Sequence, residues 1–255
     1  MFASREPPST QPELPEPEWT ALVALGILIE GISNFHVSNW TRRLYRVVFG
    51  SVPTVPATPK TRATHQGLID AARDSVRRNG VLLPEAVAET AGVSLATLYT
   101  YFGSKDALLA AAFNSALGEI GEEVARILSI ETLLDDGLES VTRRVVRTVV
   151  KHFTQDARVV RLAIARLPDS PEIVEVYKNR GDEQLAIIGR FVRLGIAASK
   201  LRDGDVSVLA RAVMVQLQGL QNPIVLHSGS GPVVDEICRV VHDLLAPEPV
   251  ADRAV

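Results

Sequence analysis

Residues 84–109, PEAVAETAGVSLATLYTYFGSKDALL, constrain this chain more than any other stretch. Pro84 suits the first turn of a helix, where an amide N–H has no intrahelical partner to lose. Glu85 follows at the positive end of that helix. Val87, Ala88 and Ala91 recur at helical spacing and give it one short apolar face. Gly92 stops it, because a glycine tolerates the left-handed backbone that ends helices. Val93 plugs the turn and Ser94 caps the second helix. Leu98 and Phe102, four apart, face back onto the first helix, while Ala96, Thr97, Thr100 and Tyr101 point the other way. Gly103 ends the second helix and Ser104 caps a third at Lys105. Two short helices joined by a tight glycine turn make a helix-turn-helix.

The pieces Ala91-Gly92-Val93-Ser94, Thr97-Leu98-Tyr99, Tyr101-Phe102 and Lys105-Asp106 with Leu108 stand in a specific order and spacing. In this the stretch resembles the DNA-binding motif of the TetR family of transcriptional regulators. The resemblance reaches back to Leu68-Ile69-Asp70-Ala71-Ala72 and Gly80, covering roughly fifty residues. It departs at Val76, where a large aromatic is usual, and at Leu83, where a threonine usually caps the next helix. It implies that Thr97, Tyr101 and Lys105 stand at positions that contact DNA. On the residues alone, Leu95, Ala96, Thr97 and Thr100 suit close approach to base edges and thymine methyls, and Tyr101 and Lys105 suit phosphates. The recognition helix, about 95–102, carries no arginine or asparagine, so discrimination leans on apolar contacts and shape. Tyr99 is expected to pack within the domain.

The preceding helix is expected over 64–79. Leu68, Ile69, Ala72 and Val76 form its buried face, and Arg73, Arg77 and Arg78 lie on or near the opposite side. Upstream, residues 1–18 are rich in proline and glutamate and read as a disordered tail. Residues 19–59 form an extension. Its apolar part, 19–32, is too short and broken by Gly26, Glu30 and Gly31 for a membrane span. It also lacks the basic leader and small-residue cleavage site of a signal peptide. Its basic part carries Arg42, Arg43 and Arg46 on an amphipathic helix. A docked helix, a contact to DNA backbone or membrane surface, and a segment upstream of the native start all remain open readings of it. Residues 51–60 read as a proline-punctuated linker. With 27 Lys and Arg against 30 Asp and Glu, the net charge is −3. A DNA binder so balanced must gather its positive charge on one face. From His36 to Ile69 the charged residues are Arg42, Arg43, Arg46, Lys60 and Arg62, with no acid. That arm either tracks phosphates or is a solvated linker.

Beyond Lys105 one long helix runs toward Leu128, its stripe including Leu108, Leu109, Ala112, Phe113, Ile120 and Val124. Further helices are expected at about 131–153, 156–167, 171–199, 206–226 and 231–246. No strand-like alternation persists, so the fold class is all-α: a helix-turn-helix domain over 60–109 and a helical ligand-binding and dimerisation domain over 110–246, with a tail at 247–255. In the last helix Val233, Ile237, Val240 and Leu244 make one apolar row, and Val234, Cys238, Val241 and Leu245 a second. Two rows suit packing on the subunit and on a twin, and the resemblance implies the same homodimer.

His152, Gln216, Gln218, Asn222 and His227 are polar groups on otherwise apolar helices. They either line a ligand cavity or are satisfied at a surface or interface. Cys238 and His242 stand four apart, but no further metal ligands lie near them in sequence. A single cysteine leaves no internal disulfide. No phosphate loop or nucleophile–base motif marks an enzyme, and no cofactor is expected. The resemblance implies a cytoplasmic, dimeric repressor of a palindromic double-stranded DNA operator, responding to an unknown small-molecule effector, with no stable membrane insertion. The competing reading is a helical protein–protein interaction module with a degenerate DNA reader.

Overall fold

A computed structural model describes residues 58–228 and 231–247, with backbone only at 227 and 228. All described residues belong to one compact unit within Ser51–Val255. The expected tails, the apolar and basic segments of 19–50, and nearly all of the linker lie outside the described residues.

The first described helix, α1 (Pro59–Asn79), begins inside the expected linker. The reason is local chemistry that the sequence carries at Thr58-Pro59-Lys60-Thr61. The Thr58 side chain accepts the Thr61 N–H, Thr61 reaches back to the Thr58 backbone, and Pro59 needs no N–H partner. Lys60 and Arg62 are therefore exposed on the first turns of a helix. Next come α2 (Pro84–Thr90) and α3 (Leu95–Phe102). Leu83 precedes α2 without a side-chain cap, as expected from its departure from the family pattern. Gly92, at φ 67°, carries the turn between them. The Ser94 side chain accepts the Thr97 N–H and opens α3.

Ser104 caps α4 (Lys105–Ile127), which runs to the expected length. The body is completed by α5 (Ile130–Gln155), α6 (Ala157–Ala165), α7 (Pro171–Ala197), α8 (Val206–Gly219), α9 (Pro223–Ser228) and α10 (Pro232–Leu245). Two expected helices are corrected. The stretch 131–153 bends at Gly137, whose φ 78° and ψ 163° are not helical. A left-handed residue there exceeds what a side chain tolerates cheaply. The stretch 206–226 breaks after Gly219, and the Asn222 carboxamide oxygen caps α9 by accepting the Ile224 N–H at 2.9 Å. Among the described residues there is no strand, and no helix is long and apolar enough to cross a membrane.

One apolar core runs through both parts of the described unit. Leu68, Val76, Val87, Leu98 and Leu108 seal the part expected to read DNA (the reader: α1–α3 and the start of α4). Phe113, Ile120, Val145, Ile188 and Leu217 belong to the body. Residues of α4 contribute to both ends of the core. On α10 the row Val234, Cys238, Val241 and Leu245 is buried, whereas Val233 and Val240 are 41% and 39% exposed. On α8, Leu209, Val213 and Leu217 are buried while Val208 and Val215 face out at 61% and 57%.

Candidate functional site

Burial of Leu98 and Phe102 decides which way α3 faces. Ala96 and Thr100 are exposed on its outer side, Leu95, Thr97 and Tyr101 are half-buried, and Lys105 is exposed at the start of α4. Tyr99 corrects the sequence expectation, being 38% exposed rather than packed inside. It follows Leu98 by one residue, so a helical step of about 100° swings it off the buried face. It widens the outward face by a phenol that spacing alone does not assign there.

The two threonines are tied down. Thr100 Oγ1 donates to the Ala96 carbonyl at 2.9 Å, and Thr97 Oγ1 lies 2.8 Å from Ser94 Oγ. With its proton committed, Thr100 presents a methyl and an accepting lone pair to any partner. A surface of methyls and acceptors suits thymine methyls and base amino groups in a major groove. Tyr101 is held from behind: its ring centroid lies 6.1 Å from that of His65, which stacks on Phe102 at 4.8 Å. Burial pulls the His65 pKa down, favouring the neutral imidazole in that stack. Ser104 Oγ accepts the Ala107 N–H at 2.9 Å, leaving Lys105 at the positive end of α4. A cation beside a helix N-terminus suits a phosphate.

The reader is joined to the body by ion pairs that sequence reasoning missed. Arg73, expected on the outer side of α1, is 5% exposed. Its Nη2 donates to Asp156 Oδ2 at 2.9 Å and to Glu119 Oε2 at 2.9 Å, and its Nη1 donates to Glu119 Oε1 and to Ser115 Oγ. Arg77 donates to the same Asp156 through Nε at 2.8 Å and Nη2 at 3.0 Å. Burial pushes the Asp156 carboxyl up, but hydrogen bonds from Arg77 and Arg73 outweigh it and hold it below the usual range. Asp156 sits between α5 and α6. From α6, Arg158 Nη1 donates to the carbonyls of Arg77 and Arg78, the last turn of α1. Past the other end of α6, Arg166 Nη2 donates to Asp106 at 2.7 Å, next to Lys105. The reader is thus gripped at both ends of one nine-residue helix.

The inner side of α6 faces a cavity. Val160 and Ile164 line it together with Phe113, Ile120, Val149 and Met214. Its volume is about 60 Å³. Among the sequence candidates for ligand contact, Gln218 lines this cavity, its Nε2 3.5 Å from the Tyr177 hydroxyl. Gln216 is half-buried away from the lining, and Asn222 is exposed and occupied in capping α9. His152 is buried, with Nε2 2.6 Å from Glu123 Oε2. Its Nδ1 is buried without a hydrogen-bond partner among the described residues. The side chain of His227 lies outside the described residues. Cys238 is buried, and burial pushes its thiol pKa up, an environment that does not favour a thiolate ligand.

Residues 68–112 match the family model described as bacterial regulatory proteins, tetR family. A protein of Mesorhizobium loti assigned to the TetR family of transcriptional regulators has the same fold, with a TM-score of 0.60 at 20% identity over 74% of this chain and 95% of that one. A TetR transcription regulator from Haloarcula marismortui gives 0.59 at 14% identity, over 71% of this chain and 96% of that one. RolR, solved in complex with the ligand resorcinol, gives 0.51 at 20% identity, over 74% and 90%. A comparison with curated proteins finds no match.

Proposed function

We propose that this chain, which carries the tetR-family helix-turn-helix and the all-α fold of solved TetR-family regulators, is a ligand-responsive transcriptional repressor that binds a palindromic operator as a homodimer. The observation that carries the reading is the outward face of α3. Ala96, Tyr99 and Thr100 are exposed there beside the half-buried Leu95, Thr97 and Tyr101, with Lys105 at the capped start of α4. Thr97, Thr100, Leu95 and Ala96 approach base edges, and Tyr101 and Lys105 hold phosphates. Exposed valines on α8 and α10 supply an apolar face for a twin subunit, and two readers related by a two-fold suit two half-sites.

Effector response arises from the position of α6, which walls the cavity on one side and holds the reader on the other. A molecule in the cavity displaces Val160 and Ile164, shifts Asp156, Arg158 and Arg166, and with them the angle of the reader. Such a ligand acts only through its different affinity for the two arrangements. The protein works in the cytoplasm, where operator and effector meet.

The test is selection of bound sequences from a random duplex library by the full chain and by the Tyr101→Ala, Lys105→Ala double variant. One palindrome recovered by the first and lost by the second is expected. Loss of the Lys105 cation from both subunits also flattens the dependence of log affinity on log salt by about two units, the uncharged Tyr101 adding nothing to that slope. A well-folded chain that enriches nothing at low salt overturns the regulator reading in favour of the interaction module.

A further inference from the structure

The cavity beside α6 carries a chemical signature of its own. Its walls are mostly apolar, and its lining includes one charged residue, Arg180, and no carboxylate. Arg180 is aimed by its neighbours: Nε donates to Asn114 Oδ1 at 2.7 Å, and Nη1 to Glu183 Oε2 at 2.8 Å. Nη2 has no hydrogen-bond partner among the described residues. It lies 3.1 Å from where a side chain on Gly118 would begin, so the glycine lets the guanidinium lie against α4. Glu183 is 59% exposed, so the ion partner of Arg180 stands in water rather than in the cavity.

Two other glycines line the same space, Gly121 on α4 and Gly181 on α7. A Cβ added at either would meet no heavy atom within 4 Å. Glycine in a helix interior usually permits close packing, and these two do not pack closely on anything. Each weakens its helix relative to alanine and leaves room in the cavity instead. The Tyr177 hydroxyl and the Gln218 carboxamide add neutral hydrogen-bonding groups.

We infer that this cavity takes an apolar monocarboxylate, its hydrocarbon body between Gly121 and Gly181 and its carboxylate on Arg180 Nη2. The inference rests on the ligand-responsive reading above and names the ligand class for that reading. Guanidinium and carboxylate match in charge and in planar geometry. An amine of the same shape meets a like charge, and an alcohol forfeits the charge. At about 60 Å³ the cavity is smaller than the roughly 150 Å³ that houses a benzene ring in an apolar protein interior. The body therefore enters by moving a wall.

The experiment measures binding of octanoate, octanol and octylamine to the full chain by calorimetry and by shift of the unfolding temperature. Octanoate is expected to bind at least about tenfold more tightly than octanol, and octylamine less tightly than either. Arg180→Gln should bring octanoate and octanol together, Arg180→Lys should restore part of the difference, and Gly181→Leu should weaken all binding. Circular dichroism of each variant confirms folding. Equal binding of octanoate and octanol, discrimination that survives in Arg180→Gln, or binding of none of the three overturns the inference. If the library selection still yields a palindrome, the regulator reading stands and the ligand class alone falls. If the selection fails while Arg180-dependent octanoate binding is found, the carboxylate site stands without the regulator.

Discussion

The reader and the body are built from the same apolar residues, but their glycines do opposite things. In the reader, Gly92 adopts a φ of 67° and closes a turn in which Val93 N–H bonds to the Ala88 carbonyl. In the body, Gly121 and Gly181 sit inside α4 and α7 and face open space. The first fixes a shape, and the others withhold packing. A turn held in one shape therefore stands on a body with unfilled space, and the ion pairs at Asp156 connect the two.

That contrast breaks most severely at the connection. Asp156→Ala leaves Arg73 buried with half of its anionic partners and should cost about 3 kcal/mol of stability, read by urea unfolding. Glu119→Ala, whose side chain is 50% exposed, should cost about 1 kcal/mol or less. Equal costs would mean that burial does not set the strength of this joint. Because the folded Asp156 pKa is depressed, its contribution is present above the unfolded value of 3.8 and is lost as pH falls through the lower folded one.

The glycines come next, with opposite signs. Gly92→Ala should destabilise by about 1 kcal/mol, since a Cβ strains a positive φ. Gly121→Ala and Gly181→Ala should each stabilise by up to about 1 kcal/mol, because helix propensity improves and nothing is struck. Thermal unfolding of the three variants reads the signs directly. Destabilisation by the two body variants would show that their helices need the glycines for packing.

The smallest effect is in pH. The folded pKa of His65 is lowered by burial, so the unfolded chain takes up the proton first. Its contribution to stability is complete above the unfolded value of about 6.5 and declines as pH drops below it. The urea midpoint of the native chain should be lower at pH 5.5 than at pH 7.5, and His65→Phe should reduce that difference. An unchanged difference would assign it to another group.

How much the sequence discloses depends on the range of the interactions. The turn and caps of the reader depend on Gly92, Ser94 and Ser104 acting on neighbours within four residues, so the helix-turn-helix is legible from spacing. The same kind of signal stands at Thr58-Pro59 and at Asn222-Pro223, where the expected helix bounds miss the observed ones although the capping residues are in view. Arg73 is different. Its partners, Glu119 and Asp156, lie 46 and 83 residues away, and periodicity assigns an arginine to the outside of a helix. The cavity is legible only at Gln218, because polarity on an apolar helix does not say what the neighbouring helix places opposite. Arg180 and the two glycines become meaningful once α4 and α7 lie side by side.

The placement of Asp156 also bears on how such proteins are recombined. A reader transplanted onto this body, or this reader onto another, brings two arginines or leaves one aspartate behind. Chimaeras cut at 80 and at 104 would keep α1 with its own body and exchange α2, the turn and α3. Chimaeras cut after 112 would strand Arg73 in an apolar setting. Exchange of DNA specificity is thus expected to succeed as a graft of about twenty residues more readily than as a swap of whole domains.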